Sequence, residues 1–244
     1  MKTLNIITPC CRPSNLKFLL ESIQASEETK INWYVIYDKE IKPAQNISNL
    51  HNSISIIEHA MDVKSVSGNN LRNWALNQIT EGFVYFLDDD NIFNPNFWSF
   101  FDSFEQNRFY SFLIEFTPAQ NIVIRKFENQ WHLFTAGTTK DSKRVKITRS
   151  GMQTFELAMK SYPELLKTVP LYENHLYPCN PKVDHIDSSM CCVDRNLIGD
   201  SRFKETAYNA DGIFLEEVFL KSIDNFIYID EYLGYYNYLN KLNS

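Results

Sequence analysis

Phe83-Val84-Tyr85-Phe86-Leu87 is an unbroken apolar run, and Asp88-Asp89-Asp90 follows it at once. Such a run without polar alternation reads as a strand buried on both faces, the usual state of a strand inside an α/β sheet. Working back from it, Gly68 precedes a helix that carries Leu71, Ala75 and Ile79. Ser53 to Ile57 is a weaker strand, and Trp33-Tyr34-Val35-Ile36-Tyr37 is a stronger one ending at Asp38. Pro13-Ser14 opens a helix whose Leu16, Leu19, Leu20 and Ile23 share one face, and Leu4 to Thr8 is the first strand. Beyond the acids, Asn94-Pro95 reads as an N-cap with proline at the first helical position, leading into Phe97, Trp98, Phe101 and Phe104. Strand and helix alternate, which predicts right-handed crossovers and a mostly parallel sheet of the α/β class. Ligands of such sheets bind beyond the carboxyl ends of the strands. Asp38 and Asp88–Asp90 are therefore expected to share one crevice.

The second half is less regular. Residues 111 to 149 read as strands and turns, and Met152 to Val169 as a helix interrupted near Pro163. Asp184 to Leu197 contains a short strand, Met190 to Val193. Asp211 to Ser222 reads as a helix with Phe214, Leu215, Val218 and Phe219, and Phe226 to Leu239 as a tyrosine-dense strand. No repeat or low-complexity linker divides the chain, so residues 1–244 are expected to form a single domain.

Composition narrows the class. With 44% hydrophobic and 22% charged residues, the 244-residue chain is neither a disordered tail, a collagen nor a coiled coil. A net charge of −6 argues against nucleic acid as a partner but leaves room for a local pocket that holds one phosphorylated ligand. No stretch approaches the ~18 apolar residues of a transmembrane helix, and Met1 to Pro9 is too short an apolar run for a signal peptide. Five cysteines, two pairs of them adjacent and none in a CxxC, argue against a disulfide framework. A cytoplasmic location is the expectation.

Three consecutive aspartates after a buried strand repel one another. A hard divalent cation, Mg²⁺ or Mn²⁺, relieves that conflict, since such ions take one or two carboxylates together with substrate phosphates. In an extended segment Asp88 and Asp90 would point to the same side. A solvated turn accounts for a short acidic run as well. Gly68-Asn69-Asn70-Leu71-Arg72 places an arginine one turn into a helix, and helix N-termini attract anions. An ordinary capped helix with a surface arginine is the plainer alternative.

Thr8-Pro9-Cys10-Cys11-Arg12-Pro13, Asp38 at a strand end, Gly68-x-x-x-Arg72-Asn73-x-Ala75-Leu76 and Val84-Tyr85-Phe86-Leu87-Asp88-Asp89-Asp90-Asn91 together resemble the inverting glycosyltransferases of the GT-A fold. The pattern is most similar to the family 43 β-1,3-glucuronyltransferases and more loosely to family 2, over roughly residues 4 to 100. The resemblance implies a Rossmann-like sheet, with residues 1–100 binding a nucleotide-sugar, most often a UDP-sugar, and residues 101–244 a glycan or other hydroxyl acceptor. It implies that Asp90, with Asp88, holds Mn²⁺ or Mg²⁺, and that Asp88 and Asp89 face the ribose and donor sugar. Asp38 would meet the uracil or ribose, and Arg72, at the helix start with Gly68 and Asn69, the nucleotide or its diphosphate. Thr8, Pro9 and Arg12 would form the loop under the nucleotide.

An inverting transfer also needs a base for the acceptor hydroxyl. Tyr208-Asn209-Ala210-Asp211-Gly212 resembles the family's late-helix segment, which makes Asp211 the candidate, with Glu216 and Glu217 next in line. A helix N-terminal carboxylate favoured by the dipole is the alternative role of Asp211. His185-Ile186-Asp187-Ser188-Ser189 is similar to the acceptor-binding segment, so Asp187 and His185 are candidate acceptor residues; a turn-capping role suits Asp187 equally. Family 43 ends with a histidine and an arginine near the diphosphate, where this chain has Gly234-Tyr235-Tyr236-Asn237-Tyr238. That departure weakens the case for glucuronic acid as donor and leaves the last phosphate contact unassigned.

The remaining features read plainly. The five histidines show no zinc spacing. Lys140, Lys143, Arg144, Lys146 and Arg149 read as a solvated hairpin, and Trp33, Trp74 and Trp98 as core. Trp131 reads as core too, and of the four tryptophans it is the best candidate for a sugar platform. Two alternatives stand beside the transferase. One is a non-catalytic nucleotide-sugar or glycan-binding protein of the same fold. The other is a haloacid-dehalogenase-type phosphatase, since acids follow an apolar strand.

Overall fold

The computed structural model describes residues 1–24, 26–41, 43, 47, 54–116, 123–127, 130–134, 171–172, 181, 183, 186–236 and 238–241. The first half runs β1 (Lys2–Cys10), α1 (Leu16–Ser22), β2 (Thr29–Tyr37), β3 (Ile54–Ala60), α2 (Asn69–Gln78), β4 (Phe83–Phe86), β5 (Ile92–Phe93) and α3 (Asn96–Phe101). The second half contains β6 (Phe109–Phe116), β7 (Val123–Phe127), β8 (Gln130–Phe134), β9 (Leu171–Tyr172), β10 (Cys191–Asp194), α4 (Arg195–Ile198), α5 (Ala210–Lys221) and β11 (Phe226–Tyr236). The expected helix over 152–169 and the basic stretch 140–149 lie outside the described residues.

Eight strands form one sheet in the order β3-β2-β1-β4-β10-β6-β11-β5. The parallel block β3-β2-β1-β4 matches the alternation of the first hundred residues. Beyond it the sheet is more mixed than expected. β10 is antiparallel to both β4 and β6, and β5 is antiparallel to β11. Short β10 enters from the far half of the chain and separates two parallel blocks. A second sheet, β8-β7-β9, is built from the middle of the chain.

Burial explains why these runs become strands. Every residue of β4 is buried, and in β1 only Lys2 and Thr3 are partly exposed. Leu16, Leu19 and Leu20 turn the apolar face of α1 inward. Asn94 accepts from the Asn96 amide at 3.0 Å, which starts α3 behind Pro95. That helix delivers Phe97, Trp98 and Phe101 to an aromatic core, where Tyr85 and Phe93 stack at 4.8 Å and Phe93 meets Phe97 at 4.7 Å. The Tyr85 hydroxyl, buried among these rings, donates to the Ser189 carbonyl at 3.0 Å. This bond fixes the segment before β10 against the centre of the sheet. Cys10, Cys191 and Cys192 are buried free thiols. No helix among the described residues is long and apolar enough to cross a membrane.

Candidate functional site

The acids cluster where the parallel strands end. Asp38 follows β2, Cys11 and Arg12 follow β1, and Asp88 to Asp90 follow β4. β1 lies between β2 and β4, so the three ends are neighbours. Cys11 reports this directly: its thiol pKa is raised by burial and by the charges of Asp89, Asp38 and Asp88. Asp38 Oδ1 accepts from the Lys39 and Ser65 amides at 2.8 and 2.9 Å, which draws the loop before α2 to the end of β2.

The three consecutive aspartates have three different settings. The Asp88 carboxylate receives Arg72 Nη2 at 2.5 Å. Asp89 accepts from the Cys11 and Arg12 amides at 2.6 Å each and from Arg12 Nη1 at 2.5 Å. Burial raises the pKa of Asp89, against the pull of Arg12 and those two amides. Asp90 Oδ2 stands 2.9 Å from the same Arg12 nitrogen. Asp88 and Asp90 thus pair with different arginines. β4 ends at Phe86, and Asp89 and Asp90 lie in a turn where strand alternation no longer applies.

Several of the expected site residues carry scaffold contacts. Asp89 is buried and braces the loop after β1. Asn15 adds to this brace by donating to the Asp89 carbonyl at 2.9 Å. The Thr8 hydroxyl is buried and accepts from Trp33 Nε1 at 2.9 Å. The Asn69 amide donates to the Lys204 and Ala207 carbonyls at 3.1 and 2.8 Å, and Asn73 exchanges two bonds of 2.9 Å with the Phe203 backbone. These two asparagines, four apart on one helix face, clamp the segment that leads into α5. Arg12 rests on Asp89 and Asp90.

Gly68 has a φ of +75°, and a Cβ there would lie 2.7 Å from Pro9 Cβ and 3.2 Å from Arg72 Nη1. Only glycine lets the helix start pass this close to Pro9. That approach sets Arg72 where it meets Asp88, the Ser67 carbonyl at 2.5 Å and the Phe203 ring at 5.4 Å. Burial opposes the Arg72 charge, but Asp88, Asp211 and Asp187 overcome it and raise its pKa.

Asp187 and Asp211 thus converge on Asp88 and Arg72 from the second half of the chain. Asp187 caps the turn Ser188–Met190, with its Oδ1 accepting from the Ser189 amide at 2.8 Å and the Ser189 hydroxyl at 2.5 Å. Burial, then Asp88 and Asp211, push its pKa up to about 7. Asp211 lies in the first turn of α5. Its pKa is raised by burial, against the Gly212 amide and Arg72. Glu217 pairs with Lys221 at 2.5 Å and with Ser201 at 2.7 Å, so it serves the surface of α5. His185 and the Trp131 side chain lie outside what the structure describes. Ser189, Phe203 and Asn73 support the site without having been expected there. Asp187-Ser188-Ser189 carries a capping signal that could have flagged Ser189.

For a divalent cation, Asp88 and Asp90 offer two carboxylates, each now paired with an arginine, a donor set of the kind completed by substrate phosphates. Their side chains are 29% and 11% exposed. Among the described residues no group of three His, Cys, Asp or Glu could hold a metal by itself. The residues fit an ion shared with a ligand, not a closed structural site.

No protein-family model matches the chain, and no curated protein matches it. Solved structures do. S. aureus TarS 1-349 superposes with a TM-score of 0.59 at 15% identity, over 96% of this chain and 60% of that one. The chain has the GT-A fold. TarS 1-349 in complex with UDP-GlcNAc gives a TM-score of 0.58 at 14% identity, over 97% of this chain and 58% of that one. The mannosyltransferase PcManGT from Pyrobaculum calidifontis, in complex with GDP-Man and Mn²⁺, gives 0.52 at 10% identity, over 96% and 56%. This GT-A chain therefore spans less than two thirds of the length of each of these structures.

Proposed function

We propose that this chain is an inverting glycosyltransferase that moves a sugar from a nucleoside-diphosphate donor, a UDP-sugar first of all, to a hydroxyl of a glycan acceptor. The observation that carries this reading is the ion pair of Asp88 with the buried Arg72 beyond the ends of the parallel strands, within the electrostatic reach of Asp187 and Asp211. The fold supports it over the phosphatase alternative, and the acids support turnover over simple binding. The likeness to structures named for UDP-GlcNAc and GDP-Man complexes favours a nucleoside-diphosphate donor. Residues 1–244 act as one unit, since Asp88 and Asp211 serve one reaction. The motif likeness to family 43 extends to the donor half and not to glucuronic acid.

Asp38 holds the nucleoside at the end of β2, and Arg72 attracts the diphosphate. Asp88 and Asp90 would hold Mn²⁺ or Mg²⁺, which when bound would neutralise the leaving diphosphate. Asp187 orients the acceptor by hydrogen bonding. Asp211 takes the proton of the acceptor hydroxyl, and that oxygen attacks the anomeric carbon from the face opposite the diphosphate. The bond between that carbon and the phosphate oxygen breaks, and its electron pair leaves with the diphosphate. Burial raises the pKa of Asp211 and makes it a stronger base than a solvated aspartate.

Calorimetric titration of UDP and GDP, with and without Mn²⁺, on wild type and Asp90→Ala tests this reading. Metal-dependent binding that is lost in Asp90→Ala supports it and selects the nucleotide. Failure of both nucleotides to bind wild type removes it.

A further inference from the structure

Arg12 pairs with the carboxylate proposed above for the metal. Its Nη1 lies 2.5 Å from Asp89 Oδ1 and 2.9 Å from Asp90 Oδ2, so one nitrogen bridges both acids. Asp89 keeps the Cys11 and Arg12 amides at 2.6 Å whatever the guanidinium does. The Arg12 side chain is 44% exposed and stands on a loop, while Asp89 and Asp90 are 6% and 11% exposed. The movable partner is therefore the arginine.

We propose that Arg12 is a displaceable counter-cation, occupying Asp90 in the free protein and yielding it when a divalent cation arrives with a nucleoside diphosphate. The inference rests on the metal-dependent reading above. A guanidinium and a divalent ion compete for one carboxylate, so Arg12 weakens metal binding in the absence of nucleotide. A diphosphate gives the released guanidinium a new anionic partner. Metal and nucleotide then bind with positive coupling, each raising the affinity for the other by the same factor. Arg12 thereby keeps the three adjacent acids from holding a metal before the donor is present.

The test is Mn²⁺ binding, read by electron paramagnetic resonance of the free ion, with and without UDP, for wild type, Arg12→Gln and Asp90→Asn. Arg12→Gln should bind Mn²⁺ about five- to tenfold tighter than wild type without UDP, the size of one partly exposed charge interaction. It should also gain less affinity from UDP. Equal Mn²⁺ affinity in Arg12→Gln and wild type, or an equal gain from UDP, overturns the inference while leaving the metal reading intact. Mn²⁺ binding absent from every protein, or unchanged in Asp90→Asn, removes the metal reading and the inference with it. A second measurement needs no variant. Phenylglyoxal labelling of Arg12 in wild type, followed by peptide mass spectrometry, should rise at saturating Mn²⁺, and unchanged labelling overturns the displacement.

Discussion

Two arginines neutralise the acids of this site in opposite ways. Arg72 rises from a helix, is 6% exposed and is held among Asp88, the Ser67 carbonyl and the Phe203 ring. Arg12 stands on a loop, is 44% exposed and touches Asp89 and Asp90 with one nitrogen. The first is a fixed part of the framework, and the carboxylates around it belong to residues far apart in sequence. The second pairs acids seventy-seven and seventy-eight positions away, one of which the backbone already satisfies. The buried guanidinium is locked among its partners, while the exposed one is reached by solvent.

Four experiments would break or sharpen this contrast. The largest effect is expected at Asp211, on the Arg72 side. Asp211→Asn should lower the transfer rate by about 10²–10⁴-fold, the usual contribution of a general base, with UDP binding retained. Full turnover in that variant would move the base elsewhere. Arg72→Met should destabilise the fold by about 3–5 kcal/mol in urea unfolding, since it strands buried carboxylates without their cation. Arg12→Gln should lose no more than about 1 kcal/mol in the same assay, and similar losses at the two positions would erase the distinction. Gly68→Ala, which presses a methyl group toward Pro9 and Arg72 at a positive φ, should cost about 1–3 kcal/mol.

A fifth test is a pH dependence at Asp187. Its folded pKa of about 7 lies above the ordinary 3.8, so folding takes up a proton in that interval. Stability contributed by the protonated form is present below that interval and is lost as pH climbs through about 7. In metal-free protein Asp187→Asn should therefore melt higher than wild type at pH 8, with the gap closing toward pH 5. A constant gap across that range would mean that Asp187 is not held in its neutral form near pH 7.

The donor half of the fold was legible because its signals are local. The runs Trp33–Tyr37 and Phe83–Leu87 and the helix faces around Leu16 and Leu71 each announce their element within a few residues. The place of β10 was not legible. Four residues, Cys191–Asp194, pair with strands about eighty and more than a hundred positions away, and their direction is set by what packs around them. The site divides in the same way. Asp88, Arg72, Asp187 and Asp211 come together as a set, but the sequence cannot say which acid of a triplet turns inward once the strand has ended. Thr8 and Asn69 carry the same ambiguity, since a hydroxyl or an amide beside a site can serve either the ligand or the wall, and here each side chain bonds to the wall.

The insertion of β10 beside β4 has a consequence for synthesis of the protein. β3, β2, β1 and β4 can pair as soon as residue 86 is free of the ribosome, but the outer edge of β4 then waits for Cys191–Asp194. At cellular elongation rates the wait lasts on the order of 5–20 seconds. Throughout it, Phe83-Val84-Tyr85-Phe86 presents an open, apolar hydrogen-bonding edge, the kind of surface through which nascent chains aggregate. The strand that ends in the acids is thus also the point at which a growing chain has most need of a chaperone.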